Sequence, residues 1–257
     1  MKIIVCIKQT FDTEARIRLA DDKHIDDSSV LYIVNPYDEY AVEEALRIKE
    51  KEGGEVSVVS MGSASAKKAL QHCLAMGADH AMLIENSELD DADSHTYAVV
   101  LSKAIQKMEY DLILCGRESV DAGTSQVPTR LAELLDLPQV NAVSKLRLLN
   151  GKAKAKRDIE GGYEIVEFEL PGVISVQKGI NEVRYPSMRH MMKASKKPIE
   201  RISLDDLGIT VDQAAPFCVV EKYMIPESRE GGRRISGDVN EVVEELTRYL
   251  KDEVKAI

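Results

Sequence analysis

A buried-type strand ends at Cys115, and the residues after it, GRESVDAGTSQVPTRLAELLD, run through a polar, glycine-containing loop that is expected to open a helix near Thr124. The free N–H groups of a helix start favour an anion, and beside small residues and hydroxyls a phosphate is the natural guest. The alternative is that Asp121 and Thr124 merely cap that helix.

Other chemistries find no matching spacing. His24, His72, His80, His95 and His190 form no HExxH and no paired ligand set, so no metal site is expected. There is no GxSxG elbow and no Cys-His pair. Asp38, Glu39, Glu43 and Glu44 look like paired carboxylates, but in the first turns of a helix they serve its dipole and solubility. Cys6, Cys73, Cys115 and Cys218 make no CxxC, which argues against zinc, covalent haem or a disulfide frame and for a reducing compartment. No GxGxxG follows a strand, no GxxxxGK precedes Ser or Thr, and the MGSASAKKA turn lacks the SGGxDS pattern of ATP-cleaving pyrophosphatases. A nucleotide held but not hydrolysed fits best, with no catalytic centre.

The elements that must position such a site alternate. Lys2 to Ile7 is a short apolar run of the kind buried on both faces of a parallel sheet. Asn35-Pro36 starts a helix as N-cap and first-turn proline, and the helix runs to Gly53-Gly54 with Ala41, Ala45 and Ile48 on its apolar stripe. Strands follow at 55–60, 80–85 and 111–115, with helices at about 65–76 and 93–108. This βαβαβαβ order predicts an α/β fold: a parallel sheet with helices on both faces and ligands at the carboxyl ends of the strands. The segments at those ends are Cys6 to Gln9, Ser60 to Ser65 and Gly116 to Gln126.

Beyond Val140 the pattern changes. KAKAKRDIEGGYEIVEFELPGVISVQ alternates with period two around Gly161-Gly162, which predicts a small antiparallel extension. Residues 181–201 concentrate Arg184, Arg189, Lys193, Lys196, Lys197 and Arg201 around three methionines, either a solvated helix or a docking segment. Residues 210–237 are broken by Pro and Gly yet keep Phe217, Val219, Val220, Tyr223 and Ile225, and an amphipathic helix from Asp238 to Val254 follows. An arm of this kind usually packs on another chain or domain.

At 257 residues, 44% hydrophobic and 30% charged, the chain can build a large core without staples. Its formal charge of -10 argues against nucleic acid. The five-residue apolar run of MKIIVCIKQTFD reads as a strand, not a signal peptide, and nothing approaches the roughly 20 apolar residues of a membrane span, so a cytoplasmic location without membrane insertion is expected.

Five blocks carry a resemblance: MKIIVCIKQTFDTEARIRL, NPYDEYAVEEALRIKE, SMGSASAKKAL with LAMGAD, GRESVDAGTSQVPTRLAELLDLPQV, and NEVRYPSMRHMMKASKKPIE. In this order, over nearly the whole chain, they closely resemble the beta subunit of electron transfer flavoprotein, and NPxxxxAVEEA and NExRYPSxRxxMKA are the most specific. The resemblance implies a Rossmann-type domain related to the adenine-nucleotide hydrolase fold over residues 1–209, with a docking loop at about 181–197. Residues 210–257 are then an arm on a homologous alpha subunit. It also implies one FAD, bound mainly by the alpha subunit. Electrons would pass through it from dehydrogenases, such as acyl-CoA dehydrogenases of fatty acid β-oxidation, to a membrane quinone reductase. The chain would be a carrier subunit and not itself an enzyme.

The resemblance further implies a buried AMP, whose contacts fall by position on Cys6, on Asn35, Pro36, Tyr37 and Asp38, and on Met61. The remaining contacts are Asp121, Ala122, Gly123, Thr124, Ser125 and Gln126, then Val127, Pro128, Thr129, Arg130, Leu131 and Ala132. Where the family docks dehydrogenases through a leucine this chain has Met188, with Arg184, Arg189 and Lys193 around it. A subgroup that bifurcates electrons binds a second FAD instead of AMP and typically carries DGDTAQVGP where this chain has DAGTSQVPT. AMP is therefore the expectation and the second FAD the alternative. A stand-alone nucleotide-binding regulator of the universal stress type is the reading from another class.

Overall fold

Short β-branched runs with little polar content cannot face water on either side, and here they form the centre of a nine-stranded sheet. The structure is a computed structural model that describes residues 1–28, 30–85, 89, 92–227 and 231–256, so residues 228–230 and 257 of the expected arm lie outside it. It divides into two units, Met1–Tyr223 and Met224–Ile257.

In the first unit, β1 (Lys2–Cys6) leads through two short antiparallel pairs to α1 (Pro36–Glu52). The pairs are β2 (Gln9–Phe11) with β5 (Tyr32–Val34) and β3 (Arg18–Leu19) with β4 (Ile25–Asp26). Next come β6 (Glu55–Gly62), α2 (Lys67–Met76), β7 (His80–Glu85), α3 (Ser94–Ile105), β8 (Leu112–Gly116) and α4 (Val127–Leu134). The chain then forms β9 (Gln139–Leu149), β10 (Lys152–Ile159), β11 (Gly162–Glu169), β12 (Val173–Val176), α5 (Met188–Ala194), β13 (Glu200–Ile202) and α6 (Leu204–Leu207).

The strand order is β11-β10-β9-β12-β8-β1-β6-β7-β13. It is parallel from β9 to β13, while β9, β10 and β11 pair antiparallel as the expected extension. One core cluster, with Val5, Val58, Leu114 and Leu70, packs beneath α1 and α2. The other, with Ile4, Ile113, Ile105 and Leu131, packs beneath α3 and α4. Strand neighbours alternate between the two clusters because successive side chains leave opposite faces of a pleated sheet.

Two sequence expectations change. The helix expected near Thr124 begins at Val127, because Gly123 (φ 61°) and Ser125 (φ 54°) take left-handed backbone that a helix start cannot contain. The VISV run, expected within the antiparallel extension, is β12, fully buried between β8 and β9 and parallel to both.

In the second unit, α7 (Val239–Arg248) is capped by Asp238, whose carboxylate accepts from the N–H groups of Asn240 and Glu241. Arg233 pairs with Glu245 at 2.7 Å and lies 5.5 Å above the Tyr249 ring. Val239, Val243 and Leu246 of α7 are exposed. No described helix is long and apolar enough to cross a membrane.

Candidate functional site

At the carboxyl ends of β1 and β8 the first unit opens into a cavity of about 990 Å³. Its geometry begins with Gly116. A Cβ there would stand 2.2 Å from Asp38 Oδ1 and 2.8 Å from the Tyr37 carbonyl carbon, so only glycine lets the start of α1 approach the end of β8. Asp38 uses that approach. Its Oδ2 accepts the Lys8 N–H at 2.7 Å and its Oδ1 accepts the Gly116 N–H at 3.1 Å, joining two strand ends to one helix start. Burial pushes the Asp38 carboxyl up to about 7, against the pull of those hydrogen bonds.

Asn35 does not cap α1 through its side chain. Its Nδ2 donates to the Glu118 carbonyl at 2.8 Å and its Oδ1 accepts from Val120 N–H at 3.1 Å, which fixes the loop after β8. Asp121 does not cap α4 either; it pairs with Lys8 Nζ at 2.7 Å. Burial pushes the Asp121 carboxyl up, but the Lys8 charge and hydrogen bonds outweigh it and hold the carboxyl below its usual value. Ser125 Oγ donates to Glu118 Oε2 at 2.7 Å, and Thr124 Oγ1 stands 2.9 Å from Ser94 Oγ. Both capping alternatives for Asp121 and Thr124 thus give way to ties across the cavity mouth.

Of the residues singled out by position, the cavity brings together Cys6, Asn35, Asp38, Met61, Asp121, Ala122, Thr124, Ser125, Gln126, Val127, Pro128 and Arg130. Leu131 and Ala132 are buried in the core behind it, and Pro36, Tyr37, Gly123 and Thr129 are not on its lining. Arg130 donates to Gln126 Oε1 at 3.1 and 3.0 Å, and among the described residues no carboxylate pairs with it. That leaves a cation beside the N–H groups of Val127 and Thr129 at the start of α4, Pro128 having none and Arg130 N–H being bonded to the Gln126 carbonyl, a donor set suited to a phosphate.

Besides Phe11, Asp12, Thr13 and Ile25 of the segment between β1 and β5, sequence reasoning missed two further walls. Asp93, Ser94 and Tyr97 come from the start of α3, and Cys218, Val219, Val220 and Tyr223 come from the stretch expected to leave the domain. The rule that ligands gather where strands end applies equally after β7 and could have found the first wall. The second is held by tertiary contacts: Asp93 Oδ2 accepts from Phe217 and Cys218 N–H, His95 stacks on Phe217 at 3.7 Å, and Tyr223 N–H donates to the Asp22 carbonyl at 2.7 Å. Among the described residues no histidine lines the cavity.

The basic segment lies elsewhere in the same unit. Asn181 Nδ2 donates to the Tyr40 carbonyl at 3.1 Å and to Glu44 Oε2 at 2.9 Å. Arg184 Nε donates to the buried Glu43 at 2.7 Å, and its Nη1 reaches Glu50 at 2.5 Å. Arg47 meets Glu43 as well, at 2.6 Å. Burial pushes the Glu43 carboxyl up, yet the two guanidinium groups hold it below its usual value. Arg184, expected among the cations around Met188, is tied down by Glu43 and Glu50. Past it the chain turns outward: Ser187 caps α5, and Tyr185, Met188 and Met192 are 93%, 79% and 66% exposed. Arg189 and Lys193 are exposed beside them.

Comparisons with known proteins agree over the whole chain. The family profile described as "Electron transfer flavoprotein domain" matches residues 22–207. The Bacillus subtilis protein named "Electron transfer flavoprotein subunit beta" is 42% identical, with 100% of each chain covered. The human protein of the same name is 34% identical over 98% of this chain and 97% of its own. The Acetobacterium woodii "Caffeyl-CoA reductase-Etf complex subunit CarD" is 36% identical over 98% of each. A mostly parallel α/β sheet ending in a phosphate-suited cavity, with relatives aligned end to end, places this chain in the family of electron transfer flavoprotein beta subunits.

Proposed function

We propose that this chain is the beta half of a heterodimeric electron carrier. With an alpha subunit it holds FAD, accepts electrons from dehydrogenases such as acyl-CoA dehydrogenases, and passes them to a quinone reductase in a cytoplasmic setting. The cavity at the ends of β1 and β8 supports a nucleotide, AMP, within the beta subunit. The observation that carries this reading is the cavity's donor set, in which Arg130 and the α4 start face space walled by Asn35, Asp38 and Thr124. When bound between the subunits, the flavin supplies the electron acceptance and release.

This chain's own residues bind and orient. Arg130 and the α4 N–H groups would hold the phosphate, while the Lys8–Asp121 pair closes one side without offering a free charge. Asn35 and Asp38 keep the walls in place by hydrogen bonds that need no rearrangement on binding. On the docking segment, Met188 offers a flexible thioether to an apolar pocket, and Arg189 and Lys193 steer an acidic rim. End-to-end relatives favour the carrier subunit over a stand-alone regulator of the universal stress type.

One observation favours a second reading. The cavity volume of about 990 Å³ lies at the top of the range of roughly 300–1,000 Å³ for small-molecule sites, more than a mononucleotide fills. A second FAD in place of AMP, as in an electron-bifurcating subunit, would use that space. Co-expression with the alpha subunit, denaturation of the yellow complex and mass analysis of the released nucleotides distinguish the two. AMP with one FAD per heterodimer is the expected result; two FAD would establish the second reading, and no nucleotide beyond one FAD would remove the cavity from the function.

A further inference from the structure

Cys6 and Cys115 are register partners on the neighbouring parallel strands β1 and β8. Laterally paired residues send their side chains out of the same face, and both thiols belong to the cluster beneath α3 and α4. Adjacent strands stand about 4.7–4.9 Å apart, inside the roughly 4.4–6.8 Å between Cα atoms that a disulfide spans. Both cysteines border the cavity, and each is nearly covered, 6% and 4% exposed. The neighbouring Cys6, together with burial and the nearby Asp38, pushes the Cys115 thiol up. Cys73 packs in the opposite cluster, whereas Cys218 is exposed at the cavity wall.

We propose that Cys6 and Cys115 form a vicinal dithiol in the cavity wall, one that a peroxide closes reversibly to a disulfide when no nucleotide covers it. The covering depends on the nucleotide reading above; the pairing of the thiols does not. The chemistry balances with hydrogen peroxide as oxidant. The Cys6 sulfur attacks one peroxide oxygen, the O–O bond breaks, and water leaves with a sulfenic acid on Cys6. The Cys115 sulfur then attacks the Cys6 sulfur, the S–O bond breaks, and a second water leaves. Two thiols are oxidised by two electrons, the peroxide is reduced, and both thiol protons end in water. Attack in the opposite order gives the same disulfide and the same two waters.

Parallel neighbours are related by near-translation, so their Cβ atoms also stand about 4.7–4.9 Å apart, slightly beyond the roughly 3.5–4.5 Å that a relaxed disulfide prefers. Closing the bond therefore draws the ends of β1 and β8 together, strains the link and leaves it easily reduced. These same strand ends supply the Lys8 and Gly116 N–H groups held by Asp38, so closure reaches the cavity wall directly.

The test uses the complex with its alpha subunit carrying Cys218→Ser, which removes the competing thiol on the cavity wall. Nucleotide-loaded and nucleotide-depleted samples are treated with hydrogen peroxide, or separately with phenylarsine oxide, which bridges only paired thiols. Alkylation and peptide mass analysis then follow. The expected result in depleted protein is a link between the peptides of residues 1–8 and 112–117 with loss of two hydrogens, its reversal by dithiothreitol, and arsenical capture. Cys6→Ser and Cys115→Ser should each lose both signals, and loaded protein should show neither. Absence of link and capture in depleted protein would overturn the proposal, as would equal modification of loaded protein that retains its nucleotide. A complex that never carries a cavity nucleotide would fail the nucleotide reading, and the same peptides would still report whether the thiols pair.

Discussion

The cavity at the ends of β1 and β8 and the basic segment 181–197 differ in where their polar ties lie. Around the cavity, Asn35, Asp38, Asp121 and Thr124 each join one wall to another, so the walls are held at many points. The basic segment is fastened at both ends, by Asn181 and Arg184 on α1 and by the buried Ala194 and the Lys197–Ala78 bond beside α2, while Tyr185, Met188 and Met192 between them are exposed. A site for one small ligand gains from walls that do not move on binding, whereas a surface for large partners gains from fixed ends and an adaptable middle.

The largest break in this contrast is expected from Gly116→Ala. The added methyl would overlap Asp38 Oδ1 and the Tyr37 backbone, neither of which can retreat without breaking the strand-end ties. We expect destabilisation of about 3 kcal/mol or more, at or beyond the upper end for overpacking, seen as a lower Tm and loss of bound nucleotide. Dehydrogenase docking by whatever protein still folds should be preserved. A variant that melts like wild type would mean that α1 is not pinned at this point.

Asp38 sharpens the same side of the comparison through pH. Its folded pKa, pushed up by burial to about 7, lies above its unfolded value, so its contribution to stability is fully present below about pH 4 and is lost as pH rises through about 7. The shift corresponds to as much as about 4 kcal/mol across that window. Asp79, Asp93 and Asp121, held below their usual values, act in the opposite sense and lose stability as pH falls, so the total curve mixes the two. Urea melts of wild type and Asp38→Asn from pH 4 to 8 isolate the term: the wild type should lose stability relative to the variant as pH rises. A constant difference would disprove the buried titration.

Glu43→Ala tests one fastened end of the docking segment. It removes the carboxylate shared by Arg184 and Arg47, and because Arg184 still reaches Glu50 and water, the cost should be about 2 kcal/mol, below the 3–5 of a fully buried pair. The readout that separates this region from the cavity is a raised KM for the dehydrogenase with nucleotide content unchanged. Met188→Ala, in the exposed stretch, should change stability by less than about 0.5 kcal/mol while weakening the same docking. If it lost nucleotide or flavin instead, Met188 would have a structural role.

Much of the frame was legible. The β1, α1, β6, α2, β7, α3 and β8 order follows from apolar runs, helical stripes and the Asn35-Pro36 and Gly77 boundaries, all signals read within a dozen residues. The strand-end rule pointed to the loop after β8, which lines the cavity. What local reading could not give were side-chain partners: Asn35 sits at the N-cap of α1 as expected, yet its side chain, like those of Asp121 and Arg184, turns to a group far along the chain.

By itself the sequence determined the element types and the end of the sheet at which the cavity opens, because periodicity and turn residues act over short range. Tertiary structure alone decided that VISV would be a central strand, that Cys6 and Cys115 would stand side by side, and that residues 218–223 would wall the cavity. Those outcomes depend on which distant segments become neighbours. A four-residue apolar run, a cysteine and an extended polar–apolar stretch carry the same local signal wherever the fold sets them, and only burial against a particular partner gives each its role.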